Sequence, residues 1–139
     1  MATDVTSVIA AGLNTGWVAI ASFVAGYSAG TPIPEVRKNF GGIFGTSFSQ
    51  VFCRGRITKD TPVSLSGTSG VHICTVPAAY FPGFRRYIIF HSSTGTAGTN
   101  NIAQGYIDTD GKVYLIPSSI VSAFDAGTDS IVLDFNYAI

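Results

Sequence analysis

Seven consecutive residues, Val51-Phe52-Cys53-Arg54-Gly55-Arg56-Ile57, alternate without a break. Val51, Cys53, Gly55 and Ile57 fall on one side, and Phe52, Arg54 and Arg56 on the other. A period of two throws successive side chains to opposite faces of an extended backbone, so the block predicts a strand with one buried face. A helix, turning about 100° per residue, would scatter the same apolar set around its circumference.

The remaining sequence supports extended structure throughout. There are 14 Ile, 12 Val, 10 Phe and 6 Tyr, against one Glu, three Lys, one Met and four Leu, so residues suited to a pleated surface far outnumber helix formers. Trp17-Val18-Ala19-Ile20 opens a first strand reaching about Val24, and the Gly/Pro-punctuated residues 26–34 form a loop. Glu35-Val36-Arg37-Lys38-Asn39, Pro62-Val63-Ser64-Leu65 and Val71-His72-Ile73-Cys74-Thr75-Val76 read as further strands. Arg86-Tyr87-Ile88-Ile89-Phe90 is apolar on both faces, which predicts a central strand covered on each side. Residues 102–108 and 112–116 alternate around Asp110-Gly111, a strong hairpin signal. Ile131, Leu133, Phe135 and Tyr137 define the last strand. Eight or nine strands at this spacing predict an all-β fold, an antiparallel β-sandwich or jelly-roll-like head. Residues 1–15 form a lead-in or docking segment, and 16–139 a single β-sandwich domain.

Charge limits the choice of partners. Only 12% of the 139 residues are charged, about half the usual share, and the net charge is zero. Such a chain lacks the broad basic field of a nucleic-acid binder. Residues 8–29 are apolar on average, but Asn14, Thr15, Gly16, Ser22 and Ser28 interrupt them, so no membrane insertion is expected. No Lys or Arg precedes Arg37, which argues against a secretion signal. Cys53 and Cys74 are then expected as reduced thiols. With Val71 and Ile73 facing inward, Cys74 is expected opposite them, beside His72 and away from Cys53.

Reactive groups are sparse, and the chain does not read as an enzyme. Asp60, Asp110, Asp125 and Asp129 occupy turn contexts, where a carboxylate bonds its own backbone. Asp108-Thr109-Asp110-Gly111 has the opening of a calcium loop without its distal Glu. The cysteines show no zinc-ligand spacing, and His72 with Cys74 has no third group to orient it. No metal or cofactor is expected.

Binding chemistry has better material. Residues 92–101 contain only Ser, Thr, Gly, Ala and Asn, with His91 and Gln104 at their feet. Neutral hydrogen-bonding groups beside an aromatic platform suit a saccharide, whose hydroxyls pair while its ring stacks. Trp17, the sole Trp, is the candidate platform or else a core residue. His91, Asn100, Asn101 and Gln104 complete the candidate receptor-binding set. Arg54 and Arg56 suit inter-subunit packing or solvent.

The order of motifs carries a resemblance. Trp17-Val18 is followed by Glu35-Val36-Arg37-Lys38, by Gly55-Arg56-Ile57-Thr58 and by Val76-Pro77-Ala78-Ala79-Tyr80-Phe81-Pro82. The chain then closes with Ile107-Asp108-Thr109-Asp110-Gly111-Lys112-Val113 and Asp134-Phe135-Asn136-Tyr137. Over about residues 17–137 this resembles the C-terminal receptor-binding head domain of tail-fibre and baseplate receptor-binding proteins of tailed phages. The corner at 76–85 is longer than the family's and lacks its Arg-Pro dipeptide, and residues 1–139 include no stretch that reads as the family's stem. The resemblance implies a homotrimeric virion protein assembled in the host cytoplasm. It also implies other phage tail or virion proteins as partners, and a host surface polysaccharide or another surface receptor as the target. It assigns no receptor residues, because these vary between heads. A capsid decoration, head-fibre or tail-tube-tip subunit using the same sandwich for assembly alone is the alternative, and a small depolymerase a more distant one.

Overall fold

The computed structural model describes residues 16–41, 48–60, 69–93, 101–116 and 130–139. The lead-in 1–15, the strand expected at 62–65, Asn100 and most of the 92–101 loop lie outside the described residues.

The strands are β1 (Val18–Ala19), β2 (Ser22–Phe23), β3 (Tyr27–Ala29), β4 (Glu35–Gly41) and β5 (Phe48–Lys59). They continue as β6 (Val71–Thr75), β7 (Arg86–Ser93), β8 (Asn101–Ile107), β9 (Lys112–Leu115) and β10 (Ser130–Ala138). One 3-10 turn, Ala78–Tyr80, occupies the expected irregular corner. The fold is all-β and antiparallel, as the sequence predicts. Its ladder runs β1-β4-β5-β10-β7-β8-β9-β6-β2, with β3 added to β5, and the sheet curls into a half-barrel.

Curling follows from the chain path. β1 pairs with β4 at one end of the ladder, while β2 pairs with β6 at the other. Only Ile20 and Ala21 separate these two strands, so a single short segment draws the sheet's ends together. The Ile20 amide donates to the Pro34 carbonyl at 2.8 Å and the Val24 amide to the Ile73 carbonyl at 3.1 Å, fixing both sides. The expected strand from Trp17 to Val24 is therefore two short strands serving opposite ends.

β5 behaves as its alternation requires. Val51, Cys53 and Ile57 are buried, whereas Arg54 and Arg56 are exposed. Nine residue pairs join it to β10, from Ser130 opposite Thr58 to Ala138 opposite Gln50. Inward side chains from both arms of the curl, including Val36, Ile57, Leu133, Ile73, Phe90 and Val113, meet in one core.

Three expectations need correction. Residues 26–34 are not all loop, because Tyr27–Ala29 pairs with Lys59–Ile57 and Ser28 Oγ meets Thr58 Oγ1 at 2.8 Å. Three residues are too short a run for periodicity to reveal. Cys74 is buried, not outward-facing, because the β6–β9 register shifts between His72 and Cys74. A bulge of this kind adds one residue and reverses the facing of everything beyond it. Both thiols thus enter the same core, close enough for the Cys74 charge to help raise Cys53, and both are free. Finally, β7 is central but covered on one face only: Ile88 and Phe90 are buried, yet Tyr87 is 77% exposed and Ile89 56%.

Candidate functional site

Two of the expected receptor residues come together on the outer face of β7 and β8. Antiparallel pairing sets His91 opposite Ile102 and Ile89 opposite Gln104, and all four are exposed. Asn101 starts β8 opposite Ser92, one residue further along. Trp17 is not part of this group, since β4, β5 and β10 intervene in the ladder between β1 and β7.

Trp17 also has other partners. The Arg54 guanidinium lies 3.9 Å from the centre of its ring and that of Arg37 4.6 Å. Arg54 donates from Nη2 to Glu35 Oε2 at 2.8 Å, which holds it in place. The indole is half-buried and its π-system is already engaged by two cations. Arg37 also lies 5.6 Å from the Phe52 ring. This cluster knits β1, β4 and β5 together on the outside of the sheet.

The structure adds residues that the sequence reading missed. Tyr106 on β8 and Tyr114 on β9 face one another in register and stack, with centroids 4.7 Å apart and planes 18° apart. Tyr87 meets Tyr106 edge-on at 6.3 Å and 63°, and His72 lies 5.4 Å from Tyr114. An aromatic row therefore crosses β7, β8, β9 and β6. At its edge Arg85 lies over the Tyr106 ring at 4.3 Å and donates to Asp108 Oδ2 at 2.7 Å. Asp108 Oδ1 accepts from the Thr109 amide at 3.0 Å. These hydrogen bonds from Arg85 and Thr109 hold the Asp108 carboxyl below its ordinary value, and Arg85 is correspondingly raised.

The signal that could have found this row lies in the hairpin. Tyr106 and Tyr114 are equally distant from Asp110, so a tight turn there must set them opposite each other. Gly111 supplies the turn with φ of 75°, and its amide donates to the Asp108 carbonyl at 2.9 Å. Asp110 itself accepts from the Lys112 amide at 3.2 Å and pairs with the Lys112 ammonium, consistent with a turn carboxylate.

No group of three or more His, Cys, Asp or Glu suited to holding a metal occurs among the described residues. His72 Nε2 lies 3.1 Å from the Cys74 carbonyl and 3.0 Å from Thr75 Oγ1, so it bonds its own strand. Burial pushes the Cys74 thiol up to about 12 and raises Cys53 further, the reverse of what a reactive thiol needs. No helix among the described residues is long and apolar enough to cross a membrane.

No family model matches the chain, and no curated protein sequence matches it. Among solved structures, the fold is similar to the crystal structure of the receptor binding protein (gp15) of Listeria phage PSA. The TM-score is 0.60 with 13% sequence identity, covering 96% of this chain and 70% of that chain. A likeness at that identity is one of fold, and it extends over nearly all of the all-β domain.

Proposed function

We propose that this chain is the receptor-binding head of a phage tail fibre or baseplate, attaching the virion to a host surface glycan without cutting it. The observation that carries this reading is the fold shared with a phage receptor binding protein over 96% of the chain. The outer face of β7 and β8 supports it, because neutral polar and aromatic groups stand there on rigid strands. Binding of this kind needs no metal or cofactor. The functional particle is a homotrimer joined to other tail or virion proteins.

Light scattering gives the oligomeric state, and labelled protein applied to a panel of bacterial strains and their extracted wall polysaccharides gives the binding. A trimer that decorates cells and retains wall polysaccharide is the expected result. A trimer that binds neither cells nor polysaccharide favours a purely structural virion subunit, for which exposed Ile89 and Ile102 would serve as a protein contact.

A further inference from the structure

On the outer face of β7 and β8, two cross-strand pairs and an ion pair just beyond the strand ends differ in chemistry. Arg85 and Asp108 form the ion pair, then come Tyr87 with Tyr106, and Ile89 with Gln104. Same-face pairs along a strand are about 7 Å apart, so the three span about 14 Å, room for a short stretch of glycan. Tyr106 is half-buried, stacked with Tyr114 on β9 and with the Arg85 guanidinium over its ring, so it is already engaged. Tyr87 is different: it meets Tyr106 in an edge contact and is 77% exposed, which leaves a face of its ring open to solvent.

We infer that Tyr87, flanked by Arg85–Asp108 and by Gln104, is the stacking platform of a subsite for a neutral pyranose unit. This rests on the receptor-binding reading and moves the platform away from Trp17, whose ring two guanidiniums already occupy. The apolar C–H face of a pyranose covers the phenol ring, while adjacent hydroxyls both donate and accept. Arg85 spends one donor on Asp108, and a guanidinium has five N–H groups. Each Asp108 oxygen already accepts one hydrogen bond and retains a further lone pair. Gln104, exposed opposite Ile89, borders the platform on the other side. Arg85 and Asp108 cancel in charge, and the next two pairs carry none, which favours a neutral sugar over a phosphate-bearing polymer. Because the platform and Gln104 stand on paired strands, the site needs little ordering on binding.

The test uses the full chain on an array of neutral oligosaccharides containing glucose, galactose, rhamnose and N-acetylglucosamine, with poly(glycerol phosphate) alongside and whole cells in parallel. The wild type should bind a neutral oligosaccharide with little dependence on salt. Tyr87→Ala should weaken that binding by about tenfold or more. Tyr87→Phe, which keeps the ring face, should stay within about threefold, and Trp17→Phe should match the wild type. Circular dichroism checks that each variant is folded, as expected for so exposed a position as Tyr87. Undiminished binding by folded Tyr87→Ala overturns the subsite while leaving the receptor-binding reading intact. Binding to poly(glycerol phosphate) alone, or to cells but no array sugar, overturns the neutral-pyranose inference in the same way. Binding to neither sugars nor cells removes the receptor-binding reading and the subsite with it.

Discussion

The Tyr137 hydroxyl donates to the Tyr80 carbonyl oxygen at 2.7 Å, inside the core, tying β10 to the 3-10 turn. Tyr137→Phe would preserve the ring and strand the Tyr80 carbonyl in a buried place. The expected loss is about 1–3 kcal/mol, the cost of an unsatisfied buried polar group. Urea unfolding followed by circular dichroism measures it, and an unchanged midpoint would count against this tie.

Gly55 sits in β5 with φ of 109°, where the backbone of Ile33 and Pro34 passes closest. A Cβ there would collide with the Ile33 carbonyl oxygen and adopt a backbone conformation that L-residues avoid. Gly55→Ala should cost more than about 2 kcal/mol or abolish soluble expression. Gly83→Ala is the control, since nothing lies within 4 Å of its Cβ position. Comparable melting of the two variants would refute the close approach.

Cys53 and Cys74 give the fold an alkaline limit. Burial raises both thiols from 9.0, Cys74 to about 12, and the neighbouring Cys74 adds to the rise at Cys53. Above pH 9 the unfolded chain releases these protons while the folded chain keeps them, so stability falls as pH rises. The slope should approach about 1.4 kcal/mol per pH unit for each thiol. Unfolding midpoints at pH 8, 9 and 10 test this, and a Cys74→Ala variant should show a shallower decline.

The Arg85–Asp108 pair is legible to titration. A carboxyl lowered from 3.8 stabilises the fold above that value, and the contribution disappears as pH falls through its lower folded value. Carboxyl-carbon NMR should therefore find Asp108 titrating below 3.8, and Arg85→Gln should return it upward. An Asp108 shift that survives the substitution would assign the effect to the Thr109 amide instead.

Strand chemistry was written plainly where alternation was long. β5 and the Asp110-Gly111 hairpin follow from local pattern alone, because each strand has one face in the core and a turn that fixes register. What stayed hidden depends on the other side of the sheet. Tyr87 and Ile89 are apolar, and nothing local distinguishes an apolar side chain that will be covered from one that stays in water. Simple alternation puts Cys74 on the outer face, and the irregular pairing between His72 and Cys74 that turns it inward has no mark in the sequence. His91 and Gln104 share a sheet face because β7 and β8 are antiparallel neighbours, whereas the place of Trp17 depends on which strands come between.

The ladder order has a consequence for how the domain is made. β10 is the last of the described strands in chain order, yet it fills the space between β5 and β7. While a ribosome is still making residues 130–139, the nascent sheet has two bare edges facing an unoccupied slot, a template for any stray strand. Loss of residues 130–139 would make that transient vulnerability permanent, so deleting this strand should yield aggregates instead of a domain with one strand fewer.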